Sequence, residues 1–317
     1  MDFQVHLTSG SGMYDISQIT GPVEFTDNIN KAGVCTFPVM MDGGIIPAEG
    51  NGIRVVCEGE IYFVGNIFKT AASQDGQMKV TCYDQLRYLK ADETYVFDGK
   101  TASDVVRQIC GDFGLAMGEI EDTGYNPGKR IFDSKDVLDT ISDYIKMTLV
   151  AKKEIYYIKD IAGKICLKNI RNSIPSLLIS PESLMTGYSY GRSIDDETYN
   201  KIKLVRDNKE SGKRELYVAQ DSGNIKKWGG ILQYYEKLDD QVNPAEAKAK
   251  ADALLYLKNR VQQSLSVDVM GEKDIRAGNM LYTELPEAGL KKFLLCTAAR
   301  HSFTNQAHTV KIDLRLV

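Results

Sequence analysis

Apolar and polar side chains alternate strictly at both ends of this chain. Phe3, Val5 and Leu7 interleave with Gln4 and His6, and Val310, Ile312, Leu314 and Leu316 interleave with Lys311, Asp313 and Arg315. Period-2 alternation gathers one apolar row on a single face of an extended strand, so both ends must lie in half-buried sheets. Between them the pattern recurs. Residues 53–57 and 61–64 flank Glu58-Gly59-Glu60, and Ser73-Gln74-Asp75-Gly76 turns the chain into residues 78–82. Short polar turns between such runs predict an antiparallel meander.

From about Asp98 the period becomes helical. Thr101 is a candidate N-cap, Val105, Val106, Ile109, Cys110 and Phe113 form one stripe, and Gly114 can stop the helix in the left-handed conformation. A second stripe runs through Val137, Leu138, Ile141, Tyr144 and Ile145, behind a candidate cap at Asp133 or Ser134. Residues 122–128 between them predict a loop. Residues 155–158 and 164–167, split by Asp160-Ile161-Ala162-Gly163, add two short strands. Beyond Tyr188 strands return at 201–206 and 215–219, joined by a polar turn from Asp207 to Gly212, and Leu265, Val267 and Val269 alternate again. One long helix interrupts them. Asn243 as cap, Pro244 at the first helical position and Glu246 in the first turn predict its start, and the Ala-rich stretch carries it to about Gln263.

The expected fold is therefore β-rich α+β. A strand-rich domain spans 1–95, a small α+β insert 96–184, and a second strand-rich domain with the long helix (243–263) spans 185–317. Residues 61–70, a loop and 78–84 share a layout with 293–302, a loop and 309–315, which makes internal duplication a candidate. The last strand reaches the final residue, so no appended C-terminal domain is expected.

Composition narrows the function. At 317 residues there is room for about two domains. The formal charge of −4 argues against a polyanion-binding surface, so no specific nucleic acid is expected as partner. No run approaches the roughly 18 apolar residues of a spanning helix, and the start lacks a basic segment before an apolar block. Neither membrane insertion nor Sec export is expected. Six cysteines lie far apart in apolar stretches and read as buried thiols. Of the three histidines, His6 sits in an alternating strand, and His301 and His308 flank a hairpin turn where solvent-facing residues are expected. Gly10-Ser11-Gly12 lacks the nucleophile elbow, phosphate-binding glycine motifs and metal-ligand spacings are missing, and Asp195-Asp196-Glu197 and Asp239-Asp240 read as solvated loop charges rather than paired acids. No catalytic, cofactor or metal residue is assigned. Trp228, on a cationic loop beside Lys226 and Lys227, and the pair Tyr234-Tyr235 are the candidate protein-interface residues, because amphipathic aromatics anchor interfaces.

Several longer strings carry a resemblance. They are Val80-Thr81-Cys82-Tyr83-Asp84-Gln85-Leu86-Arg87-Tyr88-Leu89-Lys90 with Thr94-Tyr95-Val96-Phe97, then Gly118-Glu119-Ile120-Glu121-Asp122-Thr123-Gly124-Tyr125, and the stretch from Ile225 through Trp228-Gly229-Gly230 to Lys237. With them the chain resembles, over nearly its whole length, the XkdQ/YqbQ group of baseplate hub proteins from contractile phage tails, defective prophages and tail-like bacteriocins. Trp228 departs from the pattern, which has Tyr there. The resemblance implies two tail-tube-like antiparallel β-barrel domains around the insert, with the long helix lying against the second domain's sheet. It implies a homotrimer whose six barrels adapt the sixfold tail tube to the threefold central spike. Other baseplate proteins and the tape-measure protein are further implied partners. Under it the protein is a structural component, not an enzyme, made in the host cytoplasm, carried on the tail particle and needing no cofactor. Two alternatives stay open: a peptidoglycan-degrading tail enzyme, as relatives carry fused hydrolases, and a receptor- or glycan-binding module using the tyrosine clusters.

Overall fold

The computed structural model describes every residue except Met1, Ser11, Asp42, Gly43, Asp196, 209–211, 239–241, Asn305 and Gln306. The N-terminal part holds β1 (Phe3–Ser9), β2 (Gly12–Asp15), β3 (Val23–Asn28), β4 (Val34–Met40), β5 (Gly52–Cys57), β6 (Glu60–Ala72) and β7 (Gln77–Tyr83), of which β5, β6 and β7 form the expected meander. The insert follows as β8 (Asp92–Phe97), α1 (Ala102–Asp112), β9 (Met117–Ile120), β10 (Arg130–Asp136), α2 (Val137–Lys152), β11 (Tyr156–Ile161) and β12 (Lys164–Asn169). Next come β13 (Leu178–Ile179), β14 (Met185–Ser193), β15 (Lys201–Asn208), β16 (Lys213–Gln220), α3 (Ser222–Lys227), β17 (Gln233–Lys237) and α4 (Pro244–Lys258). The chain finishes with β18 (Gln262–Met270), β19 (Met280–Leu285), β20 (Leu290–Phe303) and β21 (His308–Arg315). The fold is β-rich α+β.

Thr101 caps α1 with a full capping box: its hydroxyl accepts from the Asp104 amide while the Asp104 carboxylate accepts from the Thr101 amide. Val105, Val106, Ile109 and Cys110 face inward as their spacing required, and Gly114 takes φ +63°. Three local expectations need correction. The cap of α2 is Asp136, whose carboxylate accepts from the Asp139 amide, because Asp133 and Ser134 form a bulge in β10 opposite β8, where the Thr94 hydroxyl donates to Asp133 and accepts from the Ser134 amide. The α4 helix starts at the expected cap, with Asn243 accepting from the Glu246 amide, but stops at Lys258. There Asn259 leaves the helix to bond Asp221 and Asn224, freeing residues from Gln262 onward for a strand. Finally, residues 222–227 form a short helix rather than a loop.

Two compact units result: Met1–Ser189 with Leu265–Val317, and Tyr190–Ser264. In the second, β15 pairs antiparallel with β16 and parallel with β17, and α4 lies against β15 and β16. Ile202, Leu204, Ala219, Ala247, Ala251 and Leu254 form its core. The first unit does not follow the segments 1–95, 96–184 and 185–317, because strands from both chain ends share one sheet. Its order is β14-β18-β21-β20-β3-β4-β7-β6-β5-β1-β2, with β19 also on β20 and β13 on β19.

Within that sheet a module occurs twice. The orders β3-β4-β7-β6-β5 and β14-β18-β21-β20-β19 run through corresponding strands. Each module has one long strand, β6 or β20, that pairs first with the strand before it and then with the strand after it. Each long strand carries a register shift against the following strand, at Ile67/Lys69 and at Cys296/Ala298. The backbone leading into β5 makes the same two hydrogen bonds as that leading into β19. Gly50 (φ +87°) donates to Ile67 O at 2.8 Å and Ile67 donates to Asn51 O at 2.9 Å, while Gly278 (φ +95°) donates to Cys296 O at 2.7 Å and Cys296 donates to Asn279 O at 2.9 Å. Only glycine takes such φ values without strain, so a Gly-Asn pair precedes each of these strands. The faint repeat in the sequence is a repeat of topology.

A second glycine is fixed by packing. A Cβ on Gly65 of β6 would land on the Tyr83 carbonyl and the Phe63 ring. Gly65→Ala is expected to cost about 1–3 kcal/mol by denaturant unfolding, as overpacking does in a rigid core.

Candidate functional site

The two modules meet where β3 pairs antiparallel with the second half of β20, from Ala298 opposite Asn28 to Phe303 opposite Val23. On β3 the inward row is Val23, Phe25 and Asp27, so a carboxylate replaces an apolar side chain at the third inward position. Asp27 is 4% exposed, and the Lys159 ammonium of β11, also buried, lies 2.8 Å from its Oδ2. The same ammonium donates to Ala277 O at 2.9 Å, and the Ala277 amide donates to Asp27 Oδ2 at 3.0 Å. One buried ion pair thus ties together the N-terminal module, the insert and the segment leading into β19. Its polar atoms are shared among mutual partners, which a buried pair needs to offset desolvation. Next to it Asn30 accepts from the Ile158 amide at 3.0 Å and donates its own amide to Ile158 O at 2.8 Å.

Beside this lock lies a cleft of about 410 Å³ lined by Asp27, Tyr62, Tyr157, Lys159, Lys168 and Arg276, among others. Its cations are engaged internally: Lys159 with Asp27, Lys168 with Glu119 at 3.1 Å, and Arg276 with the Ile61 and Tyr62 carbonyls. The Arg276 guanidinium also sits 3.9 Å from the centre of the Tyr62 ring, a cation–π contact.

The histidines depart from expectation. His301 is 1% exposed rather than solvent-facing, because it shares the inward parity of Ala299 and Phe303 on β20. Its ring stacks on Phe25 and Phe303, Tyr62 meets it edge-on, and its Nδ1 lies 3.0 Å from Nε2 of the half-buried His308. Burial, followed by the nearby positive charge of Arg276, holds His301 well below the usual histidine range and His308 at about 4. Both rings therefore pack as neutral aromatics. His6 is half-buried on β1.

The interface candidates fall in the second compact unit. Trp228 ends α3, its amide donating to Asn224 O at 2.9 Å, and is half-buried. Tyr234 packs edge-on against Tyr199, donates to Glu236 at 2.9 Å and is pushed upward in pKa mainly by burial. Tyr235 is 53% exposed. Successive residues of a strand face opposite ways, so Tyr234 and Tyr235 do not form one platform. All six cysteines are free and buried. Asp195 and Glu197 are exposed, with Glu197 3.5 Å from Lys258, while Ser11, Asp196, Asp239 and Asp240 lie outside the described residues. The Asp27–Lys159 lock was not singled out from the sequence. Its available signal was a charge in the inward row of one strand and a lysine following the apolar run 155–158.

Doubled long-strand modules with a helical insert make up a fold that solved tail proteins share. The YQBQ-like family model matches residues 23–315, so the chain belongs to that family, one of phage tail and baseplate proteins. The phage-like element PBSX protein XkdQ of Bacillus subtilis (strain 168) is 28% identical, covering 84% of this chain and 82% of its own. Among solved structures, a tail protein from Neisseria meningitidis MC58 superposes with TM-score 0.76 at 13% identity, covering 100% of this chain and 97% of the other. The Escherichia coli c3393 protein, a type VI secretion component described as similar to T4 tail proteins gp27 and gp5, gives 0.60 at 10% identity, covering 93% and 73%.

Two expectations follow from the junction. Asp27→Ala strands a buried ammonium and should cost about 3 kcal/mol, whereas Asp27→Leu with Lys159→Met should cost less than the two single changes together. Because His301 and His308 are depressed in the folded state, the unfolded chain binds more protons below about pH 6.5. Their contribution to stability is present above that pH and is lost as the pH falls towards about 4. The melting temperature of His308→Gln should accordingly fall less than that of the parent between pH 7 and pH 5.

Proposed function

We propose that this protein is the structural baseplate hub of a contractile phage tail or tail-like bacteriocin, a homotrimeric ring that adapts the sixfold tail tube to the threefold central spike. The single observation that carries this reading is the strand module present twice in one polypeptide. Three copies of such a chain offer six similar modules to the tube and three identical faces to the spike. In this reading the tube-like domains are the segments 1–95 and 185–317, with 96–184 as the insert between them. Family membership and the fold shared with tail proteins support a mechanical role without turnover. Trp228 and Tyr235 are proposed contacts to neighbouring baseplate proteins; the tube protein, spike and tape-measure protein are the other proposed partners. The protein resides on the tail particle.

Light scattering of the isolated chain should return three times the 35.3 kDa chain mass, or else image reconstruction of purified tails should show three copies between tube and spike. A protein that is monomeric in solution and absent from tail particles would sink the reading.

A further inference from the structure

The repeat exposes a mismatch between the two modules. In the C-terminal module the second half of β20 is paired on both sides, by β21 and, over residues 298–303, by β3. In the N-terminal module the second half of β6 has β7 on one side, but on the other β5 ends at Gly52, opposite Asn66. The Ser73 amide donates to Gln77 O, so the amides of Thr70 and Ala72 point away from β7 along this open edge. The Thr70 amide and hydroxyl are both taken by the exposed Glu49 carboxylate, at 3.1 and 2.6 Å. A charge across an open edge is how sheets discourage indiscriminate pairing.

The counterpart of β3 in the C-terminal module is β14, next to β18 as β3 is next to β4. The Thr186 hydroxyl donates to Asp268 O at 3.0 Å, and the Met270 amide to Leu184 O at 3.0 Å. β3 continues across its outer edge onto β20, but among the described residues β14 is the last strand at its end of the sheet, β2 being the last at the other. Among the described residues, the second half of β6 therefore has no strand beside it on the side away from β7, β14 ends its side of the sheet, and the occupied pair β3–β20 shows how two such strands dock.

We propose that residues 185–189 of β14 in one copy pair antiparallel with residues 69–72 of β6 in the next, displacing Glu49 from Thr70. The in-chain junction and the between-chain junction are then the same junction made by equivalent strands. The two surfaces differ, so the contact is head-to-tail and propagates around a ring. This deepens the hub reading and rests on it.

The test uses the full chain. Ala71→Cys or Ala72→Cys is combined with Thr186→Cys, Tyr188→Cys or Ser189→Cys, a set that spans neighbouring registers, and trimers in solution or in purified tails are oxidised. Disulfide-linked chains are expected for at least one pair and for none of the single variants. Ala72→Pro removes an outward amide while leaving the Ser73–Gln77 bond, and is expected to keep the parent's circular dichroism melt while weakening trimerisation about tenfold or more. Trimers that never cross-link at any pair, or that form equally well with Ala72→Pro, overturn this edge assignment and leave the hub reading standing. A chain that forms no trimer and is missing from tails overturns the hub reading instead.

Discussion

The β3–β20 ladder is the constraint on which the first compact unit depends. It joins strands separated by most of the chain, so neither module's sheet can be completed without the other end of the polypeptide. A junction of such high sequence separation carries a large closure entropy, which grows only slowly with length and is offset by what the junction buries. Phe25, Phe63, Tyr62 and Phe303 supply the apolar part. Asp27, Lys159 and Ala277 supply a polar part that is satisfied only when three distant segments arrive together. An apolar surface tolerates small slips, whereas a buried ion pair with fixed hydrogen-bond partners penalises every alternative register.

The same junction explains why His301 is neutral and enclosed. It occupies an inward position on the strand that receives β3, so its ring had to be desolvated, and the neighbouring rings accept it as one more aromatic plate. The Arg276 side chain, clasped by two backbone carbonyls over Tyr62, adds the positive charge that disfavours protonation. The residue types suggest chemistry, yet the geometry makes them packing.

Much of the local structure was legible in the sequence because it is decided by short-range physics. The alternating runs became strands, the Thr101 cap and Gly114 stop bounded α1, and Asn243-Pro244 started α4. Misjudged boundaries share a cause: a polar residue with two possible uses. Asp133 and Ser134 resemble caps but are held in a β10 bulge by the Thr94 hydroxyl, and Asn259 ends α4 because Asp221 and Asn224, far back in the chain, bind its side chain. The Asp27–Lys159 lock was hidden for a related reason, since its partners are 132 positions apart and each alone looks like a surface charge.

The amino-acid sequence by itself determined the element types, the Gly-Asn pairs that precede β5 and β19, and the long-strand layout that makes one half resemble the other. Those features follow from backbone sterics and side-chain period, which act over a few residues. Tertiary structure alone decided that the two halves share a sheet, that a histidine at a hairpin faces the core, and that among the described residues the second half of β6 has a strand on one side only while its counterpart in β20 has one on both. Each depends on which distant strand arrives alongside, and pairing partners are set by the burial and hydrogen-bond satisfaction of the assembled sheet.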